Sequence, residues 1–182
     1  MTALLLKIWR ILSLPKGVQI SIMRLFQDQF LIGVSGVIFD EHDQILLFKH
    51  SYRRTAWGLP GGYLKAKEHP VNGLEREIEE ESGLMISIDD KLRINLDKDS
   101  SCLDISYVGT FIGGEFKSSD EVIDFGFFNL ENLPLLPKKQ LLIVDKAFKY
   151  KHMHRKLLIV TAKPEETENS GFISRLKQAI NI

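Results

Sequence analysis

The chain has 182 residues, with 24 Lys plus Arg against 24 Asp plus Glu, and 44% of its residues are hydrophobic. This balance gives no overall field toward nucleic acid or anionic lipid, so we expect no DNA partner. The longest stretch without a charged residue, 29–39, is far shorter than the about 20 apolar residues of a membrane-spanning helix. The single cysteine, Cys102, excludes an internal disulfide and a multi-thiolate zinc site. These features predict a globular, cytoplasmic protein without a transmembrane segment.

The first 28 residues differ in pattern from the rest of the chain. Apolar residues recur at helical spacing over 4–12, and a second apolar group follows Pro15 over 18–26. Residues 1–28 are therefore predicted to form an N-terminal helical extension. Four basic residues against one acidic residue would suit a membrane surface. The simpler prediction is that the extension packs on the main domain or pairs with a second copy, giving a homodimer.

From residue 30 the pattern becomes one of strands and helices mixed along the chain. A hairpin is predicted from 30–39 and 45–48, and the Gly- and Pro-containing stretch 52–62 is predicted to be a loop. Further predicted elements are a helix over 71–81, strands over 84–88, 92–96, 102–112 and 122–128, and helices over 138–149 and 173–180. This order predicts an α+β, layered fold. The main domain is placed at 29–160, with a C-terminal tail or helix, 161–182, packed on it.

The predicted helix over 71–81 carries an unusual density of glutamates. Glu77, Glu80 and Glu81 are three or four residues apart, so they share one face of the helix. Like charges at this spacing destabilise a helix by roughly 0.2–0.5 kcal/mol per pair, so a positive group should lie against them. A solvated acidic face or nearby lysines would satisfy this need, but carboxylates are also the ligands that Mg²⁺ prefers. Spacing alone leaves both interpretations open.

The segment from Gly62 to Leu84 resembles the Nudix box, G-x5-E-x7-R-E-U-x-E-E-x-G-U, in which U is a bulky aliphatic residue. The matching residues are Gly62, Glu68, Arg76, Glu77, Ile78, Glu80, Glu81, Gly83 and Leu84. The hairpin before the box, the sequence 57–61 and the acidic stretch 119–121 extend the resemblance over about 30–150. It implies a Nudix-type α/β/α sandwich with a mixed sheet.

The resemblance also implies an activity. Nudix proteins of this kind hydrolyse a diphosphate bond in a small nucleoside diphosphate-linked or nucleoside triphosphate substrate, by attack of water at phosphorus, with Mg²⁺ or Mn²⁺. By position, the metal ligands would be Glu77, Glu80, Glu81 and the carbonyl of Gly61. Glu77 and Glu80 would take part in catalysis, and either Glu77 or Glu121 would be the general base. The structural members of the motif would be Gly62, Glu68, Arg76 and Gly83, with Arg76 and Glu68 forming an ion pair.

Three cations close to the box, Lys49, Arg53 and Arg54, either bind the non-reacting phosphate or form a solvated loop surface. Lys98 and Asp99 stand where some relatives carry a substrate-specific proline, so the moiety attached to the diphosphate stays open. Two other functions also stay open. One is a Nudix-fold sensor that binds a nucleotide without cleaving it, and the other is a hydrolase of RNA 5′ ends that uses the basic stretch 146–156. The complete set of box glutamates favours an enzyme.

Overall fold

The computed structural model describes residues 15–26, 30–53, 55–97 and 101–162, with side chains described as far as residue 156. The predicted helices over 4–12 and 173–180 and the residue Arg54 lie outside these ranges. Helix α1, Lys16–Phe26, confirms a helix in the second half of the N-terminal extension, and none of its residues is buried. Its packing on a second copy therefore stays a prediction. Among the described helices, none is both long and apolar enough to cross a bilayer.

Helix α1 is followed by alternating strands and helices. They are β1 Leu31–Phe39, β2 Ile45–His50, β3 Trp57–Gly58, β4 Gly61–Tyr63, α2 Pro70–Ser82, β5 Leu84–Asp97, β6 Cys102–Gly114, β7 Val122–Phe128, a 3₁₀ turn Leu130–Asn132, and α3 Lys138–Ala162. Within the described residues, seven strands form one mixed sheet with the main order β3-β2-β1-β6-β5. Strand β1 runs parallel to β6, whereas its pairings with β2 and β4 are antiparallel. Strand β7 extends the sheet by pairing with β2.

The two faces of the sheet are covered by different helices. Along β1, Ile38 packs with Leu74 and Ile78 of α2 in one buried cluster. The neighbouring Val37 packs in a second cluster with Val144 of α3. Successive side chains of a strand point to opposite faces, so this alternation places α2 on one side and α3 on the other. The expected α/β/α sandwich with a mixed sheet is confirmed.

Helix α2, which carries the glutamates, is fixed at both ends and along one side. Pro70 occupies its first turn, where the missing N–H leaves no bond unmade, and the His69 side chain accepts a hydrogen bond from the Val71 N–H at 3.3 Å. Gly83 ends the helix in the left-handed conformation, with φ 71°. The helix is one residue longer at each end than the predicted 71–81, and its position on the sheet is set by Leu74 and Ile78.

Three segment predictions were wrong in detail. The predicted loop 52–62 contains β3 and the start of β4, because its backbone pairs with β2 and β1. The two strands predicted over 84–96 are one strand, β5, whose polar centre is accommodated by register shifts around 88–93. The helix predicted over 138–149 is longer than expected and continues to Ala162.

The packing of α2 on the sheet can be tested with a matched pair of isoleucines. Ile78 is fully buried and Ile123 is 48% exposed. We expect Ile78→Ala to lower the free energy of unfolding by about 2–5 kcal/mol, because it leaves a cavity in the core. Ile123→Ala should cost less than about 1 kcal/mol. Urea denaturation measures both, and equal losses would contradict the packing described for α2.

Candidate active site

One guanidinium, that of Arg76, joins the loop before α2 to the helix. Its Nε lies 2.7 Å from Glu68 Oε1, and its Nη2 lies 3.0 Å from Glu68 Oε2. The same side chain reaches Glu77 Oε1 and Glu80 Oε2, each at 2.8 Å. The Arg76 hydrogen bond, helped by the backbone N–H of Lys65, lowers the pKa of Glu68 to about 2. Because a bidentate pair fixes geometry as well as charge, the loop 63–69 is held in register with the helix.

Glu80 is the most exposed of the three glutamates that were expected to bind metal. Its side chain is 53% exposed, and Lys65 Nζ lies 3.1 Å from its Oε1. Hydrogen bonds from Lys65 and then Arg76 hold its pKa below the ordinary value. Its charge is therefore already balanced at the protein surface.

Glu77 lies against the backbone of β4. Its side chain is 17% exposed, and a Cβ atom placed on Gly62 would collide with its carboxylate. The glycine that opens the Nudix box thus leaves the space that the carboxylate occupies. Gly61 precedes Gly62 and pairs with Ser35 of β1. Its carbonyl, which is predicted to be a metal ligand, therefore belongs to the backbone segment that lies next to Glu77.

Glu81 is the glutamate whose charge is not balanced. Its Oε2 atom is buried and has no hydrogen-bond partner within the described residues. Burial raises its pKa to about 7, with further contributions from the charges of Glu121 and Glu77, while Arg53 acts in the opposite direction. A buried carboxylate surrounded by other carboxylates is destabilised in its ionised form unless a cation joins it.

Glu121 reaches this group from the loop before β7. The Ser51 N–H donates to its backbone oxygen at 3.0 Å, and the Tyr52 hydroxyl lies 3.4 Å from its Oε2. These contacts attach the loop to the end of β2. The structure thus brings Glu121 into electrostatic range of Glu81, although the two are 40 positions apart in the sequence.

His50, the last residue of β2, is a polar residue of the site that sequence reasoning missed. It is 3% exposed, and neither ring nitrogen has a partner among the described residues. Burial, together with the charge of Arg53, lowers its pKa to about 4, so the imidazole is neutral at neutral pH. The sequence feature that could have indicated its burial is its position two residues after Phe48, at the end of a strand of apolar residues.

A cleft of about 150 Å³ opens beside Gly61 and Gly62, between β1, β6 and the start of α3. Arg53 lines it, whereas Lys49 lies over the Trp57 ring, with Nζ 5.9 Å from the ring centroid, and is not among its lining residues. Asp104 and Gln140 also line the cleft, and sequence reasoning missed both. Gln140 Oε1 accepts a hydrogen bond from the Leu59 N–H at 3.0 Å, which attaches α3 to the cleft wall.

The carboxylates of α2 do not form a preassembled cation site. Within the described ranges, no three His, Cys, Asp or Glu side chains meet at a spacing ready to hold an ion. The physical reason is that Arg76 binds both Glu77 and Glu80, and a cation would have to compete with it. The unpartnered oxygen of Glu81 and the raised pKa of that carboxyl nevertheless show an excess of negative charge. Hard oxygen donors with excess negative charge fit Mg²⁺ or Mn²⁺.

Comparison with known proteins identifies the family of the chain. Residues 29–150 match the family model of the NUDIX domain, and the chain therefore belongs to the Nudix family. The chain is 32% identical over 111 residues to an ADP-ribose pyrophosphatase from Methanocaldococcus jannaschii, covering 58% of this chain and 65% of that protein. The chain thus spans slightly less than two thirds of that relative's length.

Solved structures with a similar fold include the following two. A UDP-X diphosphatase superposes with a TM-score of 0.60 at 21% identity, over 76% of this chain and 73% of the other. An ADP-ribose pyrophosphatase from Streptococcus suis superposes with a TM-score of 0.55 at 25% identity, over 77% of this chain and 97% of the other. The mixed sheet and the helices that flank it are thus shared with Nudix proteins.

The excess charge at Glu81 predicts a dependence of stability on pH in metal-free buffer. The folded-state pKa of about 7 lies above the ordinary 4.5, so ionising this group costs the folded chain more than the unfolded chain. Below pH 4.5 the carboxyl is protonated in both states and no penalty applies. The penalty grows between pH 4.5 and 7 and is complete above pH 7. Glu81→Gln should therefore match the wild type in Tm near pH 4 and exceed it at pH 8.

Glu79→Gln is the matched control, because Glu79 is exposed on the same helix. Its Tm difference from the wild type should not show the rise between pH 4.5 and 7. A Glu81→Gln curve that runs parallel to the wild type over the whole range would show that the carboxyl is not destabilised.

Proposed function

We propose that the protein is a Nudix hydrolase that cleaves a diphosphate bond in a nucleoside diphosphate-linked or nucleoside triphosphate substrate, with Mg²⁺ or Mn²⁺, by attack of water at phosphorus. The observation that carries the proposal is the Oε2 atom of Glu81, which is buried and has no hydrogen-bond partner among the described residues. Glu81 belongs to a complete Nudix box, most of whose glutamates lie on α2. An unbalanced carboxylate at this position lowers stability and is explained by a cation that joins it during function.

The residues that would hold the cation are Glu77, Glu80 and Glu81, with the Gly61 carbonyl as a further ligand. When bound, such an ion lowers the pKa of a coordinated water and stabilises the charge that develops on the phosphate oxygens. Glu81 would contribute the carboxylate that has no other partner, and Glu77 one that already lies against β4. Arg76 would keep the helix and the preceding loop in place through Glu68 while the other carboxylates turn toward the ion.

Two residues compete for the role of general base, and the contacts favour Glu121 over Glu77. The Glu77 carboxylate is bonded to a guanidinium at 2.8 Å, and a carboxylate held in this way is a weaker proton acceptor. Glu121 is exposed, and the hydrogen bond to its carboxylate is a long contact with Tyr52. Glu121 would therefore accept the proton of the attacking water, and the Tyr52 hydroxyl would orient its carboxylate.

The cleft beside Gly62 would bind the rest of the substrate. Arg53 lines it and would hold the non-reacting phosphate, while Asp104 and Gln140 offer hydrogen-bonding groups to the attached moiety. Arg54 would assist, and Lys49, which lies over Trp57, would reach the phosphate only after a side-chain movement. The relatives named above act on ADP-ribose or on UDP derivatives, and a small nucleoside diphosphate derivative is the substrate class proposed here.

A small substrate is favoured over an RNA end. Of the basic stretch 146–156, Lys149 is paired with Asp145, and both Lys151 and Arg155 are paired with Asp43. Two carboxylates thus offset part of the positive charge of the stretch, which weakens its attraction for a phosphate backbone. A sensor without activity is disfavoured because such a module needs no complete set of box glutamates.

The test is release of phosphate or nucleoside monophosphate from a panel of nucleoside diphosphate derivatives, with and without Mg²⁺. We expect Mg²⁺-dependent turnover, and we expect Glu81→Gln and Glu80→Gln each to lower kcat by about 100-fold or more, because each removes a proposed ligand. Glu79→Gln, on the exposed side of the same helix, should retain wild-type turnover. Full activity in both ligand variants, or turnover that is independent of the metal, would contradict the proposal.

A further inference from the structure

A buried polar residue at the end of β2 has no role in the hydrolysis proposed above. His50 is 3% exposed and has no hydrogen-bond partner for either ring nitrogen within the described residues. A neutral imidazole carries one N–H donor and one bare acceptor nitrogen. Leaving both unpaired in an interior costs free energy that an apolar side chain would avoid. The residue is therefore explained by a partner that is engaged when the site functions.

The direction of the His50 side chain follows from the strand. Leu46 and Phe48, four and two residues earlier, lie in the buried cluster that contains Ile78 of α2. The pairing of β2 with β7 shifts register between Lys49 and His50, so the face of His50 is given by its partner Val122, which belongs to the same buried cluster as Ile78. Residues paired across two strands point to the same face of the sheet, so His50 faces α2 as well. Glu81 is three residues beyond Ile78, and residues at that spacing lie on one side of a helix. The imidazole and the Glu81 carboxyl group thus approach the same region, at the C-terminal end of α2.

Electrostatics and strand register support this placement. His50 pairs with Val122 of β7, and the residue before Val122 is Glu121, whose charge raises the pKa of Glu81. The charge of Arg53 acts on both groups, because it adds to the effect of burial in lowering the pKa of His50 and opposes the effect of burial that raises the pKa of Glu81. One guanidinium acts on both groups because both lie within its range. Each group has a buried polar atom without a partner there.

We propose that His50 is a positioning residue for Glu81, its imidazole N–H donating to the Glu81 carboxylate, directly or through one buried water, when a divalent cation binds. A hydrogen bond of this kind orients a ligand carboxylate and favours its ionised form. The inference rests on the proposed function. It assigns to His50 a contact with the metal-binding carboxylate of Glu81, and none with the substrate.

The test compares His50→Leu with His50→Gln. The Mn²⁺ affinity, measured from the electron paramagnetic resonance signal of free Mn²⁺, should fall roughly 10- to 100-fold in His50→Leu. It should recover to within about threefold in His50→Gln, because the amide keeps a donor. In His50→Leu kcat should fall while KM at saturating metal stays unchanged. Its Tm in metal-free buffer should be no lower than that of the wild type, because an unpaired buried group has been removed.

His42→Leu is the control, since His42 lies on a turn with a side chain that is 73% exposed. It should leave Mn²⁺ affinity and kcat unchanged. Two results would overturn the inference: wild-type Mn²⁺ affinity in His50→Leu, whether or not KM is raised, or a lowered Tm of His50→Leu with no recovery of Mn²⁺ binding in His50→Gln. If instead the wild type binds no Mn²⁺ and hydrolyses no diphosphate, the proposed function itself has failed.

Discussion

The ion pairs of Arg76 are the interactions on which the site depends. Helix α2 places carboxylates three and four residues apart, and their mutual repulsion opposes folding. One guanidinium, 19% exposed, compensates for this by bonding to Glu68, Glu77 and Glu80 at once. Because Glu68 lies outside the helix, the same contacts fix the loop that leads into it. A single arginine thus provides both charge balance and geometry, and a lysine, which lacks the planar fork, would not replace it.

Arg76 does not balance every carboxylate, and the remaining charge is concentrated at Glu81. Burial, Glu121 and Glu77 together make its ionised form costly in the absence of a cation. His50 is a second buried residue whose polar atoms have no partner among the described residues. Natural proteins accept such local losses of stability at functional sites, where an incoming ligand removes them. The rest of the domain supplies the compensating stability, through two buried clusters on opposite faces of one sheet.

Local spacing made much of this arrangement predictable. The glutamate helix, its apolar side at Leu74 and Ile78, and its end at Gly83 follow from periodicity and capping, which are properties of neighbouring residues. The box motif, recognised as a pattern, indicated the sandwich fold. Short strands such as β3 and β4 were missed because two or three residues carry no periodic signal, and only pairing with β1 and β2 defines them.

The environment of each site residue required the three-dimensional structure. Glu77, Glu80 and Glu81 look equivalent in the sequence, but their environments differ. The first lies against Gly62, the second is exposed beside Lys65, and the third has a buried oxygen without a partner among the described residues. The difference is created by β4, by the loop 63–69 and by the loop before β7. His50 and Asp104 were missed for the same reason. Each lies in a strand whose neighbours come from distant parts of the chain.

The central claim is that the carboxylates at the end of α2 bind a divalent cation. The most direct measurement is a crystal structure of the wild-type protein soaked in Mn²⁺, with anomalous scattering recorded near the manganese absorption edge. We expect an anomalous peak at about 2.0–2.3 Å from a carboxylate oxygen of Glu81, with Glu77 or Glu80 turned away from Arg76 toward it. The absence of such a peak, with Glu81 still unpartnered and Arg76 still bonded to both neighbours, would contradict the claim.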